Sequence, residues 1–162
     1  MQTLREFLEQ CSSAAEKVFD RNGVLLPMYH IIAQDGCELL LPPPPDLSKN
    51  EGIALVKLLF RQMRPQRYLF CDEAWTINAG NAEAAAQIDE YLKQGGLVKN
   101  HPKRQEIVLF QAEDRAEGEL TAWRSIIRRR GRKPRLGPLS LDWYTSREGR
   151  MVGLLPREGA LH

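Results

Sequence analysis

No stretch of the sequence approaches the roughly 18 consecutive apolar residues that a membrane-spanning helix needs, so no spanning helix is expected. Its opening MQTLREFLEQ is charged from residue 5 onward and lacks the apolar run of a secretory signal. A cytoplasmic protein is the expectation. Cysteine is scarce: Cys11, Cys37 and Cys71 are odd in number, widely spaced, and set in apolar segments. That excludes a disulfide framework and predicts buried thiols in a reducing compartment. The sequence has no CxxC, no HxxxH and no EF-hand loop, so no metal site is expected. Its QGG and GRKPRLG segments lack the glycine spacing of P-loops and dinucleotide-binding turns, and GxSxG does not occur. Neither a nucleotide cofactor nor a serine nucleophile on an elbow is therefore expected. A large excess of one charge is missing too. The formal net charge is +2, too small to imply a polyanionic partner by itself.

What is present is patterning. The chain has 162 residues, 43% of them hydrophobic and 27% charged, which suits one globular domain with a core of its own. Leu4, Phe7, Leu8, Cys11, Ala14, Ala15, Val18 and Phe19 recur at steps of three and four, the face of a helix. Thr3 with Glu6 makes a capping box at its start, and Asn22-Gly23 ends it. Two strands follow around a turn at Asp35-Gly36, and the first is apolar on both parities, as in a strand covered on both faces. Ser48 and Glu51 box the start of a second helix carrying Ile53, Val56, Leu59, Phe60 and Met63. A strand over 67–77, a third helix capped by Asn81, and two strands flanking the turn RAEG complete the pattern.

This order predicts an α+β fold: a mainly antiparallel sheet of about five strands with helices packed on its faces. In element order, residues 3 to 130 resemble the profilin and roadblock architectures, which implies a binding or dimerisation module. The expected core includes Phe7, Phe19, Leu26, Ile31, Phe60, Leu69, Trp75 and Leu109. Residues 1–130 are read as the core domain and 131–162 as an extended tail. That tail holds Leu136, Leu139, Leu141, Trp143, Tyr144, Met151, Val152, Leu154 and Leu155, and is too apolar to stay uncovered. Glycines and prolines break it early, so it is expected to run extended over its own sheet or over a second subunit, as part of a homodimer interface.

Three sets of residues are chemical candidates. FCDEAWTINA, residues 70–79, puts Glu73 on the same strand face as Cys71 and Trp75. Desolvation there would raise its pKa, as in a general acid, unless an arginine or backbone donor compensates, and the compensated arrangement is the expected one. His101, Arg104 and Glu106 bring a titratable ring, a cation and a carboxylate to the start of the next strand. Glu73, His101 and Arg104 are therefore the catalytic candidates. The third set is WRSIIRRRGRKPRLG, where Arg124, Arg128, Arg129, Arg130, Arg132, Lys133 and Arg135 crowd together with Trp123 and Trp143 on either side. Such a cluster can neutralise phosphates while tryptophans stack on bases. The expected function is a non-catalytic protein-interaction or dimerisation module. The alternatives are an enzyme of unknown reaction built on Glu73, His101 and Arg104, and nucleic-acid binding through residues 124–135.

Overall fold

The computed structural model describes residues 1–77, 79–141 and 153–156. Helix α1 (Leu4–Asn22) starts on the full Thr3–Glu6 capping box, and Gly23 closes it in the left-handed conformation, φ 69°, with its N–H on the Phe19 carbonyl. Strands β1 (Met28–Ile32) and β2 (Glu38–Leu41) form the predicted hairpin. In its turn the Asp35 carboxylate accepts the Cys37 N–H at 2.9 Å. Helix α2 (Lys49–Met63) opens on the Ser48–Glu51 capping box. Strand β3 (Arg67–Ile77), helix α3 (Ala82–Lys93, capped by Asn81), and strands β4 (Arg104–Asp114) and β5 (Gly118–Ile127) follow.

All strand pairings are antiparallel, in the order β2-β1-β3-β4-β5-β6, and the sheet curls into a half-barrel. Among the described residues it has seven strands rather than about five. The additions are β6 (Arg135–Leu136) and β7 (Ser140–Leu141), both paired to β5. Gly137 and Pro138 between them keep each to two residues. Residues 135–136 and 140–141 thus extend the sheet of their own chain, and Leu154 and Leu155 are buried in its core. Trp143, Tyr144, Met151 and Val152 lie outside the described residues.

Two apolar layers flank the sheet. Phe7, Leu8, Cys11, Ala15 and Phe19 of α1 pack on Leu69, Cys71, Val108, Phe110, Ala112, Ala122 and Ile126. On the other face Val56 and Phe60 of α2 meet Tyr29, Ile31, Tyr68 and Phe70, with Leu154 and Leu155 beside them. The tail is fixed there by Glu113, whose Oε2 accepts the Tyr68 hydroxyl at 2.8 Å and the N–H groups of Leu154 and Leu155 at 3.0 and 3.3 Å.

Four expectations about burial fail. Leu26 is 71% exposed, because β1 begins only at Met28, after Pro27, and the strand parity that would have turned Leu26 inward does not extend to it. Trp75 is 45% exposed although Leu69 and Cys71, on the same strand face, are buried: α1 covers those two and stops short of Trp75. Leu109 is only half-buried. Cys37 is exposed in the hairpin turn, unlike Cys11 and Cys71. No helix among the described residues is long and apolar enough to cross a membrane.

Candidate functional site

The candidate residues gather at one end of the sheet, where β3 and β5 finish and β4 begins. The register sets Ile77 opposite Arg104, Trp75 opposite Glu106 and Glu73 opposite Val108. Glu73, Trp75, Arg104, Glu106 and Arg128 share the parity of the α1 face, in the part that the helix leaves open. Glu73 is held by a backbone donor: its Oε1 accepts the Leu25 N–H at 2.8 Å, just past the end of α1. On the opposite face, burial pushes the carboxyl of its neighbour Asp72 upward.

Four strand residues, about 13 Å along the chain, separate Glu73 from the level of Arg104. His101 is turned to Tyr91 of α3, edge to face at 4.9 Å, and its Nδ1 accepts the Lys103 N–H at 3.1 Å. Arg104 lies over the Trp75 ring, 5.4 Å from its centroid, and donates to the His101 carbonyl at 3.3 Å. Arg104 thus meets His101, while Glu73 stands apart from both.

The arginine cluster divides into two groups. Arg124 is drawn under α1, donating to the Ser12 hydroxyl at 2.7 Å and the Gly137 carbonyl at 3.0 Å, with Glu16 at 3.2 Å. Arg128 forms a two-pronged pair with Glu106 at 2.6 and 3.1 Å, and that hydrogen-bonded carboxylate raises the guanidinium above its ordinary range. Beyond Arg128 the chain turns from β5 into β6. Arg129, Arg130, Arg132, Lys133 and Arg135 are all exposed there, and no carboxylate among the described residues pairs with them. The pairing of β4 with β5 brings Lys103, also exposed, to the same end. The arrangement is a cationic rim at the end of the sheet that also carries a half-exposed tryptophan, whose neighbouring acids Glu73 and Glu106 are already engaged.

A second constellation escaped the sequence reading because its members come from three elements. Cys11 Sγ of α1 lies 3.1 Å from His30 Nδ1 of β1, and His30 Nε2 lies 3.3 Å from Glu38 Oε2 of β2. These are the residue types of a thiol–imidazole–carboxylate triad. Burial, however, pushes the Cys11 thiol up to about 12. The thiol keeps its proton, and the two contacts link Cys11 to Glu38 through the His30 ring. A protonated thiol is a poor nucleophile, so this chain ties α1 to the β1–β2 hairpin. Cys71 is likewise pushed up to about 11 by burial. With Ellman's reagent the native protein should release the equivalent of one thiol rapidly, from exposed Cys37, and three after denaturation. Rapid loss of Cys11 in the native state would reopen the nucleophilic reading.

Among the described residues no group of three or more histidine, cysteine, aspartate or glutamate side chains is placed to hold a metal ion. The fold and this surface together define an α+β protein with an antiparallel sheet and a cationic rim at one end. No protein family, curated protein or solved structure matches the chain.

Proposed function

We propose that this protein is a non-catalytic interaction module that takes an anionic partner on the basic end of its sheet. The observation that carries this reading is the set of five exposed cations, Arg129, Arg130, Arg132, Lys133 and Arg135, for which the described chain supplies no acid. Cations held together on a tight turn repel one another, and an anion relieves that repulsion. The resemblance in element order to profilin and roadblock architectures, read from the sequence, fits a binding role, and the buried thiols of Cys11 and Cys71 fit a reducing, cytoplasmic setting. In the test, the chain is passed over immobilised heparin beside a variant carrying Arg129→Glu, Arg130→Glu and Arg132→Glu. Salt-dependent retention of the wild type and its loss in the variant are expected. Equal retention of the two would place binding elsewhere.

Self-association through β2 is a second reading, favoured by a separate observation. Among the described residues β2 has a neighbour on one side only, and its Leu40 is 68% exposed. A free edge of this kind invites antiparallel pairing with a second copy across a two-fold axis. The dimer contact is therefore assigned to β2, because the described parts of the tail are engaged with their own sheet. Light scattering at micromolar concentration should give a dimer for the wild type and a monomer for Leu40→Lys. A monomeric wild type would end this reading.

A further inference from the structure

We infer that the partner of the basic end is a single-stranded nucleic acid, with Trp75 as the platform on which an unpaired base stacks. This rests on the anion-binding reading above and names the class of anion. The rim cations are mostly arginines, Arg129, Arg130, Arg132 and Arg135, whose planar guanidinium groups match phosphate oxygens two at a time. An acidic peptide would satisfy the charge, but it has no use for an indole.

Trp75 is the feature that selects among anions. It is half-exposed on the α1 face, next to Glu106 in the β3–β4 register. A line of contacts runs from it to the rim: Arg104 lies over its ring, Glu106 stands beside it, Arg128 grips Glu106, and Arg129 begins the basic turn. Three adjacent strands carry this line, and Arg129 lies three residues past the level of Trp75, so Trp75 and the start of the rim are about 14 Å apart. The two carboxylates near the ring are occupied, Glu73 by the Leu25 N–H and Glu106 by Arg128, which reduces their repulsion of a phosphate. An aromatic face beside a track of cations is how sequence-tolerant single-strand binders work: the cations follow the backbone and the ring takes a base. In a duplex the bases are already stacked on one another. The rim cations, moreover, sit on a hairpin turn rather than on a helix able to enter a major groove.

The experiment is fluorescence anisotropy of a labelled oligothymidylate of about 12 nucleotides, with the same sequence as a duplex and labelled polyglutamate as comparators. The proteins are the wild type, Trp75→Ala and Trp75→Phe, with thermal melts to verify that each is folded. The wild type should prefer the single strand to both comparators. Trp75→Ala should weaken that binding by roughly 5- to 100-fold, and Trp75→Phe should restore most of it. If polyglutamate binds as well as the oligonucleotide and Trp75→Ala changes nothing, the inference is overturned while the anion-binding reading stands. If no anion binds, both fall.

Discussion

Replacing Arg67 with methionine should destabilise the protein by about 3–5 kcal/mol, the cost of leaving a buried charge without its partner. Arg67 is 6% exposed at the start of β3, and Asp114, opposite it at the end of β4, is 3% exposed. Arg67 Nε lies 2.8 Å from Asp114 Oδ2, a close ion pair although the angle falls short of a hydrogen bond. The guanidinium also donates to the Gln2 carbonyl at 2.9 Å, reaches Glu117 at 3.5 Å and lies over the Phe7 ring. One side chain thereby joins β3, the β4–β5 turn and the start of α1, whose Leu4 N–H bonds Glu117 in turn.

The pH dependence has a definite sign. Burial pushes the Asp114 carboxyl up, but the N–H groups of Ala116 and Glu117 and the charge of Arg67 outweigh it, so the group titrates below its ordinary 3.8. The stability it contributes is complete above that value and is lost as pH falls through the lower folded value. The stability gap between wild type and Asp114→Asn, measured in urea, should therefore be full at pH 6 and shrink below pH 4. A gap that grew on acidification would mean that the ion pair does not contribute as described.

The second large effect is expected from salt. If all five exposed rim cations engage a single strand, counterion release gives a slope of roughly −3.5 for log affinity against log salt. Raising salt from 50 to 200 mM should then weaken binding about 100-fold. The Arg129, Arg130, Arg132 triple reversal should flatten the slope as well as lower the affinity. A slope near zero would mean that the rim is not in contact with the backbone of the ligand.

Much of the fold is legible in the sequence because its signals are local. Capping boxes at Thr3–Glu6 and Ser48–Glu51, the glycine after Asn22 and the Asp35-Gly36 turn each act within a few residues, so their element ends fall where expected. Period-two patterning placed β3 and β4 within about a residue, whereas β5, expected over 119–130, ends at Ile127 where the arginine run begins. Burial depends on what covers a strand, and there the reading failed: Trp75 has a core residue's pattern, but α1 is too short to reach it. Of the two-residue strands, β7 falls in LSLDWY, a stretch with a strand-like pattern, while β6 carries no periodicity to detect. The site was half legible. The arginine run is visible in composition, but which members are consumed internally is not: Arg124 under α1 and Arg128 on Glu106 look the same in sequence as exposed Arg129. Cys11, His30 and Glu38 meet only through the packing of α1 on the hairpin, and no spacing rule connects them.

The most direct test of the basic end as the binding surface is a backbone amide NMR titration of the 15N-labelled protein with the oligothymidylate. Shift changes are expected to concentrate at residues 73–77, 103–106 and 128–136, with β2 and α2 unmoved. Changes centred on residues 38–41 or 49–63, with the basic turn silent, would contradict the account.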